Sequence, residues 1–281
     1  METLAPDHSI AQLAEILAVS KSGFYAHRRK ACRPRRQQDE QLHRLLKALF
    51  FQSRRTYGSP RLCAALRAQG WRCGKNRVAR LVRAAGFSVR QKRRFRPQTT
   101  QSIHPLALTP NWLAKVPAPE RPDQLWQSDI TYLHTQEGWL YLAVTLDAYS
   151  RKVVGWATAS TLHSTLVTEA FQRAWRTRRP APGLLHHSDR GIQYASARFR
   201  AQLHSLGAVS SMSRPGNCYD NALVESFFAT LKTECFARRP PASKRQTRLL
   251  LFDYIETFYN RRRSHSALGY LTPLDFENRF L

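Results

Sequence analysis

Acidic residues are scarce in this 281-residue chain: 19 Asp and Glu stand against 45 Lys and Arg, for a formal charge of +26. Cysteine is sparse too. The five residues Cys32, Cys63, Cys73, Cys218 and Cys235 form no C-x-x-C pair. That excludes a disulfide framework or a structural zinc site and points to a reducing cytoplasm. No run of eighteen apolar residues occurs, so no membrane-spanning helix is predicted and no membrane partner is expected. The opening METLAPDHSIAQLAEILAVS has neither a basic n-region nor a long apolar stretch, and does not read as a signal peptide.

A chain this basic ordinarily meets a polyanion, and nucleic acid is the common one. The excess is uneven. Residues 1–122 hold 25 basic and 6 acidic side chains, the remainder 20 and 13. Six prolines between 97 and 122 mark a linker. The expected division is a helical DNA-binding region over 1–96, the linker over 97–122, and a larger domain with a helical tail over 123–281.

Two helix-turn-helix units are predicted before the linker. In the first, Ile10, Leu13, Ile16 and Leu17 form a stripe, Ser20 caps a second helix carrying Phe24 and Tyr25, and a basic run follows from Arg28 to Arg36. Glycine is expected in its turn, where Ala18 stands. In the second, spanning Gly58 to Phe87, the core is Leu62, Leu66, Val78, Leu81 and Val82. Lys75, Asn76, Arg77 and Arg80 lie on its second helix, where phosphates and base edges would be met. A helical bundle with a solvated basic face is the alternative for either unit alone.

Beyond the linker, β-branched and aromatic residues predict strands over 128–135, 139–150 and 152–160. A helix, a strand (184–189), a helix, a strand (209–213) and a long helix from about Tyr219 to Cys235 follow. That order matches an α/β domain of the RNase H-like type, a five-stranded mixed sheet with helices. Asp129 is expected at the start of the first strand, Asp189 at the end of the fourth, and Glu225 on the long helix at the edge of its buried face. Three carboxylates at one spot repel unless a cation neutralises them. Mg2+ suits such an all-oxygen site, with Mn2+ as substitute, and two ions about 3.5–4 Å apart would serve in-line displacement at phosphorus. Lys232, two turns after Glu225, would bind a DNA phosphate.

The segments LWQSDITYL, HHSDRGIQY and SRPGNCYDNALVESFFATLKTE resemble the DDE integrase core of insertion-sequence transposases, specifically the second-frame protein (OrfB) of the insertion-sequence-three family. Thirty-five residues separate Asp189 from Glu225, the spacing of that family, and Lys232 matches its basic residue. YGSPRLCAALRAQGWRCGKNRVARLVRAAGF resembles the family's helix-turn-helix unit, and FYNRRRSHSALGYLTPLDF its C-terminal signature. The resemblance covers nearly the whole chain. It implies binding of terminal inverted repeats and target DNA, metal-dependent strand cleavage and transfer, and a homo-oligomer on DNA. It also implies an upstream-frame protein as fusion or partner, and a bacterial, nucleoid-associated location.

Arg190, Gln193 and Asn221 are further candidates for DNA contact, the last two equally readable as structural hydrogen-bonding groups. Tyr194 and Ser188 are read as structural neighbours, and His186 and His187 as core residues rather than metal ligands. The run Arg261–Arg263 reads as a DNA contact or a solvated helix end. Two competing functions remain at this point. One is a DNA-binding regulator of transposition, inactive without its upstream partner. The other is a host RNase H-type nuclease, which would not need two basic helix-turn-helix units.

Overall fold

The computed structural model describes residues 8–31, 34–89, 108–214, 218–236 and 240–279. Two compact units divide the chain, Met1–Val89 and Arg90–Leu281. Residues 97–107 of the expected linker lie outside the described residues. Among the described residues no helix is long and apolar enough to cross a membrane.

In the first unit, α1 (Ile10–Ile16) and α2 (Lys21–Ala31) are joined by a turn in which Ala18 adopts φ 51°. The left-handed conformation for which glycine is expected is therefore held by an alanine. Ser20 Oγ accepts the Gly23 N–H at 3.0 Å, the anticipated cap. The stripe is not as expected. Leu13, Ala14 and Phe24 are buried, while Ile16 and Leu17 are exposed, because the short helix packs only one narrow face. Side chains 27–34, most of the basic run, lie outside the described residues.

The second helix pair is α4 (Ser59–Ala68) and α5 (Lys75–Ala84), and all five of its expected core residues are buried. A long helix absent from the sequence-based reading, α3 (Pro34–Gln52), completes this core with Leu42, Leu46 and Phe50. Phe87 stacks on Phe50 with centroids 4.7 Å apart.

The second unit is built on β1 (Leu125–Thr135), β2 (Gly138–Asp147), β3 (Val153–Ala159), β4 (Leu185–Ser188) and β5 (Val209–Met212). The sheet order is β3-β2-β1-β4-β5, antiparallel through the meander and parallel across β1, β4 and β5. This is the anticipated five-stranded, RNase H-like arrangement. Residues of opposite parity on each strand face different layers. Trp126 and Ala143 join Phe171 from α6 (Ser164–Arg178), Tyr194 from α7 (Ile192–Ala195), and Phe199 and Leu203 from α8 (Ala197–Ser205). Leu133, Leu142, Val144 and Leu146 face α9 (Ala222–Cys235) and the segment from α10 (Lys244–Phe252) through the π-helical turn Asp253–Tyr259. Gly155 of β3 is needed for close approach: a Cβ there would stand 2.7 Å from the backbone nitrogen of Ala174 in α6.

The last helix, α11 (Pro273–Asn278), is pinned by one carboxylate. Glu277 accepts from both terminal nitrogens of Arg178 at 2.9 and 3.0 Å, from Lys152 Nζ at 2.7 Å and from Ser150 Oγ at 2.8 Å.

Candidate active site

Parallel pairing of β1 with β4 sets the site. The ladder ends at Ser128↔Ser188, so Asp129 and Asp189 are the next residues along two neighbouring, parallel strands. Asp189 leaves the sheet directly after the last paired residue of β4, close enough for its charge to act on Asp129. Asp129 is not at the start of its strand, as expected, but its fifth residue. Leu125, Trp126 and Gln127 already pair on both sides, and that pairing overrides their mixed pattern. The β1–β4 junction is also where strand order reverses, the usual place for a ligand crevice in an open parallel sheet.

Helix α9 supplies the third carboxylate. Val224, Phe227 and Leu231 are buried in the sheet-facing core, which leaves Glu225 at the margin and exposed. Burial and the neighbouring Asp189 charge push the Asp129 carboxyl well above the ordinary range, with Glu225 adding to the effect and Lys232 opposing it. Partial burial at this margin and the Asp189 charge raise the Glu225 carboxyl. Burial lowers the Lys232 ammonium while Asp129 raises it, so all four groups share one field. Asp129 Oδ1 accepts its neighbour's Ile130 N–H at 2.7 Å, and Asp189 Oδ1 accepts the Gly191 N–H at 3.0 Å.

Among the described residues, no three His, Cys, Asp or Glu side chains are grouped so that all could hold one metal ion. The donor set is instead an adjacent aspartate pair with a glutamate at the rim. It consists only of oxygens, with Lys232 the cation acting on it, and such a set fits a hard divalent cation that keeps water or phosphate in its shell.

The other expected contacts fall in differing surroundings. Lys75 and Asn76 are exposed on α5. Arg77 is not simply presented to solvent: its Nε donates to Asp39 Oδ1 of α3 at 2.7 Å, and Arg80 donates to Asp39 Oδ2 at 2.5 Å. Asp39 went unnoticed as a clamp on this helix, although it is one of few acids in a basic region. Arg190 donates through Nε to the Ser213 carbonyl at 2.7 Å, tying the end of β4 to that of β5. Gln193 donates to the Leu162 carbonyl at 3.4 Å.

Asn221 is buried with its side-chain oxygen unpartnered, as is the hydroxyl of Tyr194, which feels the charges of Asp129 and Asp189. His186 meets Ser128 Oγ at 2.8 Å, and His187 bridges Ser211 and Ser213 at 2.9 and 3.1 Å. Both histidines are buried, and burial depresses them to about 3 and about 4, which leaves them neutral core residues. Of the Arg261–Arg263 run, Arg261 and Arg262 are exposed, but Arg263 is buried in an ion pair with Glu234.

An RNase H-like sheet with carboxylates gathered at the β1–β4 junction, joined in one chain to a basic helix-turn-helix region, defines an enzyme of the DDE transposase and integrase class. Family models agree: "HTH-like domain" matches residues 36–95, and two "Integrase core domain" models match 119–218 and 206–273. The transposase InsF of insertion sequence IS3A from Escherichia coli (strain K12) is 41% identical over 278 residues, covering 98% of this chain and 96% of that one. The "Insertion element IS600 uncharacterized 31 kDa protein" of Shigella sonnei is 40% identical over 268 residues, covering 95% and 98%. Among solved structures, the magnesium complex of the HTLV-2 integrase catalytic core in its trimeric form is 18% identical, with a TM-score of 0.42 over 56% of this chain and 98% of that one. The chain belongs to the IS3 family of insertion-sequence transposases.

Proposed function

We propose that Asp129, Asp189 and Glu225 are the catalytic carboxylates of this transposase and hold two divalent ions, Mg2+ or Mn2+, for cleavage and transfer of DNA strands. The observation that carries this reading is the β1–β4 register, which sets two mutually repelling aspartates side by side with Lys232 in their field. Bound there, the ions would activate the attacking oxygen and stabilise the leaving one.

The protein's own groups do the positioning. Asp129 is rigid because its strand is paired on both sides up to that point, and Asp189 is held by the Gly191 N–H. Lys232 neutralises a DNA phosphate beside the carboxylates. Arg190, Gln193 and Asn221 border the scissile end, while Lys75, Asn76 and Arg80, with Arg77 as their brace, meet the terminal repeat. Two element ends must be brought together, so the working form is a homo-oligomer on DNA, with the upstream-frame protein as fusion or partner and the bacterial nucleoid as the place of action.

The test is cleavage of a labelled duplex carrying the element's terminal inverted repeat, with Mg2+ present. Wild type is expected to nick the 3′ end, while Asp129→Asn and Asp189→Asn bind the duplex but do not cut it. Cutting by either variant removes that aspartate from the site. Specific binding with no nick from wild type would make the isolated chain the DNA-binding regulator that needs its upstream partner.

A further inference from the structure

Glu225 stands on a helix whose first turn is tied to two distant parts of the chain. The 3-10 turn Cys218–Asn221 leads directly into α9, four residues before Glu225. Its Asp220 side chain is only 10% exposed. Asp220 Oδ2 accepts from Asn111 Nδ2 at 2.8 Å and from the Arg214 backbone N–H at 3.1 Å, with Arg214 Nε at 3.6 Å. The Asp220 backbone carbonyl accepts from Gln127 Nε2 at 3.3 Å.

Gln127 lies two residues before Asp129, on the same face of β1. One side chain of the strand that bears the first carboxylate therefore holds the turn that launches the third. The segment before β1 is strapped across the end of β5. The Trp112 and Leu113 N–H groups meet Ser211 Oγ at 3.0 and 3.4 Å, and Thr109 Oγ1 meets Ser210 Oγ at 3.2 Å.

We infer that Asn111, Asp220 and Gln127 are positioning residues that set where Glu225 stands relative to Asp129 and Asp189, with the 109–113 strap as anchor. The inference rests on the proposed role of Glu225. Its physical basis is the charge-assisted Asn111–Asp220 bond in a partly buried place, where such bonds are strong and directional.

An isosteric exchange tests the pairing. Asn111→Asp sets two carboxylates against each other, whereas Asn111→Asp with Asp220→Asn restores a donor facing an acceptor at the cost of the Arg214 N–H, which shared the same oxygen. The single variant is expected to weaken Mn2+ binding, read by calorimetry, about tenfold and to slow single-turnover cleavage of the terminal-repeat duplex as much. Its affinity for that duplex is expected to stay at the wild-type value. The double variant is expected to recover part of both losses, since only the Arg214 N–H bond stays broken.

Asn111→Ala, checked by thermal melting, covers the case in which Asn111→Asp fails to fold; it is expected to lose Mn2+ affinity while still melting cooperatively at a modestly lower temperature. Wild-type Mn2+ affinity and cleavage in both single variants, or no recovery in the double variant, would overturn the tether. Glu225→Gln separates the two failures. If it binds Mn2+ and cuts like wild type, the role of Glu225 falls and the tether with it; if it loses both while the Asn111 variants do not, the tether alone falls.

Discussion

Arg263 and Glu234, 29 residues apart in sequence, close a forked ion pair: Nη2 donates to Oε1 at 2.7 Å and Nε to Oε2 at 2.8 Å. Tyr254 donates its hydroxyl to the same carboxylate at 2.8 Å. Both charged side chains are nearly inaccessible, 5% and 10% exposed. Removing one charge strands the other, so Arg263→Ala is expected to cost about 3–5 kcal/mol in urea unfolding. Replacing both, Arg263→Met with Glu234→Gln, is expected to recover much of that, because the amide oxygen still accepts from Tyr254. Affinity of the folded double variant for the terminal-repeat duplex should match wild type, since this arginine is not offered to DNA; a large loss would return it to the DNA-contact group.

Neutralising the crowded site should stabilise the metal-free protein. Asp129 binds a proton more tightly folded than unfolded, so its contribution falls as pH rises above the ordinary carboxylate range. At pH 7, without divalent metal, Asp129→Asn is expected to raise stability by roughly 1–2 kcal/mol. Added Mn2+ should raise the wild-type melting temperature and leave that of the variant nearly unmoved. A destabilised metal-free variant would contradict carboxylate repulsion.

His186 gives stability the opposite slope on pH. Burial holds it near 3, below the usual 6.5, so the unfolded chain binds the proton first. Its contribution is complete above about pH 6.5 and is lost as pH falls from there toward 3, by up to about 1.4 kcal/mol per pH unit. Urea midpoints measured between pH 7 and 5 should fall for wild type and fall less steeply for His186→Phe. Equal slopes would mean that the imidazole is protonated in the fold.

Gly155→Ala should separate β3 from α6. The added methyl would meet Ala174 Cβ at 2.7 Å as well as backbone of the same helix, atoms that cannot turn aside. A loss of about 1–3 kcal/mol is expected, more if the helix cannot shift. Ala174→Gly in the same chain should relieve part of it, and an unaffected melting temperature for Gly155→Ala would refute the close approach.

The larger unit was legible in the sequence because its signals are local and repeated. β-branched meander strands, the helix order, and the Asp189 to Glu225 interval each specify a piece of the same sheet. The aspartate pairing followed from that order, but the mid-strand position of Asp129 did not, since Leu125 to Gln127 become strand only through partners on both sides. Long-range partners were hidden for the same reason. Nothing near Arg77 announces Asp39, 38 residues away, and nothing near Arg263 announces Glu234. Ile16 and Leu17 kept helical spacing yet remained exposed, because periodicity specifies a face and not what covers it. Ala18 shows the converse: a missing glycine did not prevent the turn.

The central place of β1 also governs which parts of the unit open first. Its amides up to Ser128 are enclosed by ladders on either hand, so they exchange with solvent only when the sheet itself comes apart. The turn before α9 has no backbone ladder of this kind and is held by side-chain bonds and by the buried Val224 that follows it. Deuterium is therefore expected to enter the turn before Glu225 while the amides leading to Asp129 are still protected.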